Sequence, residues 1–352
     1  MRRVKVDLGN RSYEILIGEN LDQSIEDFFS GSKFSKRSLV IVDSNTRRFF
    51  KPRDGFECYE IPAGETSKSL KIAEEIYTRA IELKLDRKSP IIALGGGVVG
   101  DLAGFIASTY LRGVPFIQIP TTLLAQVDSS VGGKVAVNHR LGKNLIGSFY
   151  QPQAVFIDLN YLKTLPDREI RAGFSEIIKY GIIYDSEFFD LLDENSDRLL
   201  QLDSELMEKV IARSCEIKAE VVSKDERESD LRRILNFGHT IAHAVEEETH
   251  YEKFVHGEAV AIGMIAAARI SQNLNLIDQF TTNRIENLIH KFELPTSTQN
   301  SCDADKIYRA LFRDKKTIGG KINWVLVNQI GKVFINNEVS ESVVRNAIES
   351  II

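Results

Sequence analysis

The sequence predicts an α/β domain on a mostly parallel sheet, followed by a mainly helical domain. Short apolar runs alternate with amphipathic stretches through the first half, and a glycine loop leads from one run into a helix. After about Pro166 nearly every signal is helical. The expected boundary lies at Leu165-Pro166-Asp167, dividing residues 1–166 from 167–352.

Val4, Val6 and Leu8 alternate with polar residues, Gly9-Asn10 signals a turn, and Ile15 and Ile17 fit a return strand. The apolar runs at 39–42, 91–94, 116–119 and 155–159 have the length of buried strands. Between them, Ile72, Ile76, Ala80 and Leu83 recur at three- and four-residue spacing, one face of a helix over 69–85. Strands separated by helices imply a parallel sheet covered on both faces. Beyond the boundary, residues 170–183, 205–224, 232–248, 258–274 and 282–292 read as helices. A strand pair at 322–327 and 333–335, around a turn at 328–331, interrupts them.

Composition bounds the function. With 43% hydrophobic, 27% charged and 9% aromatic residues over 352 positions, the chain is ordinary globular material. A net charge of -5 argues against a dedicated nucleic-acid binder, although local lysines can still meet an anionic substrate. Cys58, Cys215 and Cys302 are odd in number and scattered, which fits a reducing cytosol better than a disulfide framework. The N-terminus has no signal-peptide core, and the most apolar stretch, 259–268, is about ten residues, too short for a bilayer. A soluble cytoplasmic protein is expected.

Gly95, Gly97 and Gly100 fit GxGxxG between the strand run 90–94 and a helix over 102–110. Residues without Cβ let backbone N–H groups approach a pyrophosphate, and a helix N-terminus adds positive potential. A tight glycine turn explains such a loop about as well. The acidic residue of an ordinary dinucleotide fingerprint is absent downstream, and Asp43, at the end of an upstream strand, is the candidate ribose partner. Farther on, Thr121, Thr122, Gln126, Asp128, Ser129, Ser130, Lys134, Asn138, His139, Lys143 and Asn144 form a dense polar stretch interleaved with glycines. A solvated loop accounts for many such stretches. Hydroxyls, lysines and glycines in this mixture also suit a phosphate-bearing ligand.

Four of the six histidines, His239, His243, His250 and His256, crowd into one segment. Any one alone reads as a buried, hydrogen-bonded histidine. Together, with Glu176 on another helix, they point to a divalent metal bound by imidazole and carboxylate. Spacing by itself nominates His239 and His243, four apart on one helix face. Lys179, three residues after Glu176, shares its face, while Lys218, Arg232 and the pair Lys315-Lys316 add cations that singly read as solvated charge.

The glycine loop through Asp101, the run from Phe116 to Lys134 and Gly142-Lys143-Asn144 resemble the 3-dehydroquinate synthase family. So do Ser175-Glu176-Ile177-Ile178-Lys179-Tyr180-Gly181, Asn236-Phe237-Gly238-His239-Thr240 and His256-Gly257-Glu258-Ala259-Val260. The likeness runs in order from about residue 40 to residue 320. It implies an N-terminal Rossmann-like NAD-binding α/β domain, a C-terminal mainly helical metal-binding domain and substrate in the cleft. It also implies Glu176, His239 and His256 as ligands of one zinc or cobalt ion, with His243 on the substrate side. This overrides the spacing argument.

By position, the resemblance assigns NAD to Asp43, Ala63, Gly64, Glu65, Thr66, Ser67, Lys68, Gly97, Val98, Val99, Gly100 and Asp101. Thr121, Thr122, Lys134, Lys143, Tyr161, Leu162, Lys163 and Thr164 complete that set. Substrate is assigned to Asp128, Lys134, Asn144, Lys179, Lys218, Arg232, Asn236, His243 and Lys316. Arg112 matches an arginine that reaches the neighbouring subunit, which implies a homodimer. Val135-Ala136, Ala63, Ala242 and Asp230 depart from the usual family pattern without removing a proposed ligand.

The implied reaction takes a seven-carbon 2-keto-3-deoxy acid phosphate to a carbocycle by oxidation, phosphate elimination, re-reduction, ring opening and aldol closure. In that scheme Lys134, Asn144 and Arg112 grip phosphate, Lys218 and Arg232 pair with carboxylate, and His243 with Asn236 orients hydroxyls or relays a proton. The other readings are a different sugar phosphate cyclase, a metal-dependent polyol dehydrogenase of the same fold, and a silent nucleotide-binding protein.

Overall fold

The computed structural model describes residues 1–312 and 322–352. The chain packs as two units, Met1–Leu165 with Met207–Arg227, and Pro166–Leu206 with Glu228–Ile352. Strands of the first unit are β1 (Arg2–Val6), β2 (Tyr13–Gly18), β3 (Ser38–Asp43), β4 (Phe56–Ile61), β5 (Ile91–Gly95), β6 (Phe116–Pro120), β7 (Lys134–His139), β8 (Gly142–Phe149) and β9 (Ala154–Asp158).

Seven of these strands form one sheet in the order β1-β2-β9-β6-β5-β3-β4. From β2 to β4 every neighbour pairs in parallel, and β1 alone runs antiparallel, with Val4 opposite Ile15. Successive side chains on a strand face opposite ways, and the core divides accordingly. Leu39, Ile41, Ile91, Ala93 and Phe116 pack with the helices Leu70–Glu82 and Gly97–Thr109. Val40, Val42, Ile92, Leu94, Ile117 and Ile119 pack on the other face with Ile25 of the helix Asp22–Gly31. The apolar runs are therefore continuous because both sheet faces are covered.

Several local expectations change. The polar stretch after residue 130 is not simply a loop: β7 and β8 form an antiparallel hairpin, with Val137 opposite Ile146 and His139 opposite Gly142. The helix after the glycine loop starts at Gly97, not residue 102, because the Gly100 N–H already donates to Gly96 O (3.0 Å). Residues 97–101 thus form its first turn. The helix Ser204–Lys224, read from sequence with the helical half, groups with the first unit from Met207 onward. Within that unit Cys215 Sγ donates to Gln126 O at 3.4 Å, and Met207, Val210, Ile211, Ile217 and Val221 are buried.

The second unit holds the helices Asp167–Tyr184, Ser186–Glu194, Ser196–Leu200, His239–Glu248, His256–Asn273, Gln279–Lys291, Ala304–Ala310 and Glu341–Glu349. Its strands β10 (Trp324–Gln329) and β11 (Lys332–Asn336) pair antiparallel, as the turn signal between them predicts. Residues 232–248 are not one helix. A 3-10 segment Leu231–Asn236 ends at Phe237, Gly238 turns with φ +78, and the α-helix begins at His239. Only glycine fits there, since a Cβ would lie 2.8 Å from Met264 N in a conformation side chains avoid. At Gly257 a Cβ would sit 2.0 Å from Ala172 O, so this glycine lets His256–Asn273 press against Asp167–Tyr184.

Candidate metal centre and cofactor-binding residues

Three helices of the second unit converge on one donor cluster. Glu176 lies within Asp167–Tyr184, while His239 and His256 are the first residues of their helices. One ligand atom from each lies within 4.8 Å of the other two. His239 Nε2 is 3.4 Å and His256 Nε2 3.9 Å from Glu176 Oε1. Lys179 Nζ donates to the other carboxylate oxygen, Oε2, and both side chains are 1% exposed. One Glu176 oxygen therefore faces the histidines while the other holds a cation. A buried carboxylate without such a partner would be costly.

The outer ring nitrogens are also held. His239 Nδ1 lies 3.1 Å from Phe237 O, and His256 Nδ1 3.3 Å from Glu246 Oε1. Such partners turn each Nε2 toward a common point. The end of the helix carrying His256 is fixed as well: Glu258 accepts from Val255 N at 3.1 Å and takes two bonds from Arg168. His243 stands beside the cluster, its ring centroid 5.8 Å from that of His239 and 6.5 Å from that of His256. The nominated spacing pair is thus on one face, but the donors that converge with Glu176 are His239 and His256. Two imidazoles and one carboxylate with coordination positions to spare suit a catalytic zinc-type ion.

Near the same cluster in sequence, Asn236 Nδ2 donates to Glu228 Oε1 at 2.6 Å, and Arg232 is buried at 2% exposure. Glu228 and Glu246 lie outside the set of residues that the sequence singles out. Glu246 was accessible, since it follows His239 by seven and His243 by three on one helix face. Glu228 lies in an irregular charged segment that carries no periodicity.

The first unit gathers a second constellation. Lys68, 5% exposed, donates to both Asp101 and Asn144. Burial pushes the Asp101 carboxyl up, and Lys68 opposes that shift. Asn138 joins the group, donating to Glu65 Oε1 at 2.7 Å and accepting from Asn144 N at 2.9 Å. Asn144 itself has φ +55. Ser67 Oγ donates to Pro62 O at 2.6 Å, and Gly64 adopts φ +105, which shapes the 63–68 loop. The loop, the first turn of Gly97–Thr109 and the hairpin are thereby tied together.

Asp43 Oδ1 is used within its own turn, accepting from Asn45 N, Thr46 N and Thr46 Oγ1 at 2.9–3.0 Å. Its Oδ2 makes no hydrogen bond among the described residues, and a pair of ribose hydroxyls is the ligand chemistry it suits. Thr121 is buried at the end of β6, its N–H donating to Gly95 O at 3.0 Å. Tyr161, Leu162, Lys163 and Thr164 belong to the 3-10 helix Leu159–Thr164. Lys218 Nζ contacts both the carbonyl (2.6 Å) and Oδ1 (2.7 Å) of Asp128. Lys134 opens β7 with its side chain exposed. Arg112 is exposed, and Lys316 lies outside the described residues.

Comparison with known proteins puts a family to these features. A model of the 3-dehydroquinate synthase N-terminal domain matches residues 58–172, and one of the C-terminal domain matches 173–317. The 3-dehydroquinate synthase of Desulforamulus reducens is 50% identical over 351 residues, 97% of this chain and 98% of that protein. The chain belongs to the 3-dehydroquinate synthase family. The family's enzyme from Aliivibrio fischeri is 47% identical, covering 99% of both chains.

Among solved structures, 2-deoxy-scyllo-inosose synthase complexed with carbaglucose-6-phosphate, NAD+ and Co2+ superposes with a TM-score of 0.88 at 27% identity, covering 100% of both chains. The 2-epi-5-epi-valiolone synthase of Streptomyces hygroscopicus, with NAD+ and Zn2+ bound, also gives 0.88 at 27% identity, covering 98% of both. A glycerol dehydrogenase from Schizosaccharomyces pombe shares only the fold, at 16% identity and a TM-score of 0.65, covering 96% of this chain and 88% of that one.

Proposed function

We propose that this chain is a 3-dehydroquinate synthase, a lyase that converts 3-deoxy-D-arabino-heptulosonate 7-phosphate to 3-dehydroquinate and phosphate. The observation that carries the reading is the convergence of Glu176, His239 and His256, with Lys179 buried against them. Half of its residues are identical to those of a synthase of that name over nearly its whole length.

Glu176, His239 and His256 would hold one zinc or cobalt ion. Asp43, Lys68, Asp101, Thr121, Thr122 and Lys143 would hold NAD with the backbone of residues 63–68, 97–100 and 161–164. When bound, the metal supplies Lewis acidity toward substrate hydroxyls, and NAD supplies a reversible hydride acceptor.

The chain's own residues position and discharge the substrate. Lys179, buried against Glu176, would bring a positive charge to a substrate oxygen at the donor cluster. Asn236, held by Glu228, presents its amide in one orientation. His243, whose ring stands beside those of His239 and His256, would relay a proton to or from a substrate hydroxyl. Lys134 and Asn144 of the hairpin, with Arg112, meet the phosphate. Lys218 and Arg232 meet the carboxylate, and Arg232 brings a planar fork matched to that group. Lys316 is assigned to substrate on family position alone.

A homodimer is proposed on Arg112 and its surroundings. Leu111 (φ 49), Arg112 (φ 69) and Gly113 (φ 123) take three successive left-handed conformations, and Leu111 is 40% exposed. Strained, exposed segments of this kind persist where a function needs the side chain projected. The three free cysteines support a cytoplasmic location. Among the described residues no helix is long and apolar enough to cross a membrane.

The competing reading is a cyclase acting on a sugar phosphate without a carboxylate, the kind of ligand represented by the carbaglucose-6-phosphate bound to one 27%-identical structural neighbour. Lys218 and Arg232, both buried, favour the acid phosphate, because each brings positive charge that suits a substrate carboxylate and Arg232 adds a planar fork. A substrate comparison decides it. Turnover of the C7 acid phosphate, with none of glucose 6-phosphate or sedoheptulose 7-phosphate, supports the synthase; the reverse pattern sinks it.

A further inference from the structure

The two histidines of the donor cluster are not equivalent. His239 turns its Nδ1 to a backbone carbonyl, Phe237 O, whereas His256 turns its Nδ1 to a carboxylate, Glu246 Oε1, at 3.3 Å. Glu246 is 7% exposed and lies on the helix His239–Glu248, two turns after His239. His239, His243 and Glu246 occupy positions i, i+4 and i+7, a single face, and the His256 ring comes in from the following helix against that face. One helix thus contributes a metal donor at its first residue and an anchor for the other imidazole near its last turn.

We propose that Glu246 is a positioning residue for the metal centre: its carboxylate fixes the tautomer and ring orientation of His256 and makes Nε2 a stronger donor. This rests on the metal reading above and names a residue beyond the three donors. The physical reasoning has two parts. A neutral imidazole carries its proton on one nitrogen only, so an acceptor at Nδ1 leaves the Nε2 lone pair facing Glu176. An anionic acceptor also raises ligand basicity more than a carbonyl does. His256 needs this more than His239, since its side chain is 35% exposed against 14%, and packing alone restrains it less.

The test uses full-length protein stripped of metal with a chelator. Zn2+ affinity is measured by competition with a chromophoric chelator, and Co2+ binding by its d–d absorption. Wild type should bind one equivalent. Glu246→Gln, which keeps the shape but removes the charge, should bind about 10- to 100-fold more weakly, and Glu246→Ala at least as weakly. The Co2+ bands should shift in both, while the apo-protein melting temperature of Glu246→Gln stays at the wild-type value. Wild-type binding with both variants within twofold of it would overturn the role of Glu246. Absence of any bound ion in wild type would overturn the metal reading itself, so the two failures are distinguishable.

Discussion

Lys218 Nζ lies 2.7 Å from Asp128 Oδ1 and 2.6 Å from the Asp128 carbonyl, so two residues assigned separately to substrate grip each other. The lysine side chain is 7% exposed, and the pair ties the helix Ser204–Lys224 to the turn after β6. Its first role is to keep that helix with the sheet. Lys218→Met should lower stability by about 1–3 kcal/mol, because the half-buried Asp128 carboxylate and the Asp128 carbonyl lose a charged donor. Urea denaturation measures this, and a change below about 0.5 kcal/mol would refute the structural role.

Arg232→Ala should weaken use of the C7 acid phosphate by about 2–5 kcal/mol in kcat/KM, the cost of truncating one side of a desolvated charge pair. NAD affinity should hardly change, since Arg232 is assigned to the substrate carboxylate and not to the cofactor. Equal losses for substrate and NAD would contradict the assignment.

Alanine at Glu176, His239 or His256 should each remove most of the bound metal and the activity. His243→Ala should keep the metal while losing turnover, because its ring stands beside the donors without joining them. Metal analysis of the four purified variants checks this. Retention of metal in His256→Ala with loss in His243→Ala would restore the simple i,i+4 pair.

Arg11 donates to both oxygens of Glu226 at 2.6 and 2.7 Å, and Gln151 donates at 2.9 Å. The Arg11 hydrogen bonds hold the Glu226 carboxyl below its ordinary 4.5, with burial opposing. A depressed carboxyl contributes stability that is present above the unfolded value and lost as pH falls through the folded one. Glu226→Gln should therefore be less stable than wild type at pH 7, and the gap should close as pH falls below about 4.5. Melting temperatures across that range test the sign, and a gap that widens on acidification would contradict it.

The α/β sheet was legible because its strands are uninterrupted apolar runs, covered on both faces. β4 was not, since Glu57 and Glu60 break its pattern at the edge of the sheet. The β7–β8 hairpin was hidden by its polarity, and the break at Gly238 by apolar residues that keep helical spacing on both sides of it. At the candidate site, spacing alone nominates His239 and His243, whereas the family resemblance implies Glu176, His239 and His256, the three whose donor atoms lie together. Spacing measures one helix only, and the third donor arrives from another through the close approach that Gly257 allows. Glu228 is hidden in an irregular segment without periodicity, while Glu246 shares a helix face with His239 and His243 but its partner, His256, arrives from another helix.

The central claim is that this chain closes the C7 acid phosphate without net oxidation. It is tested by incubating metal-loaded protein with substrate and a substoichiometric amount of NAD, while following phosphate, 3-dehydroquinate and absorbance at 340 nm together. The account predicts one phosphate and one 3-dehydroquinate per substrate over many turnovers per NAD, with no accumulating absorbance. A rise at 340 nm matching each product formed, or no phosphate release, would contradict it.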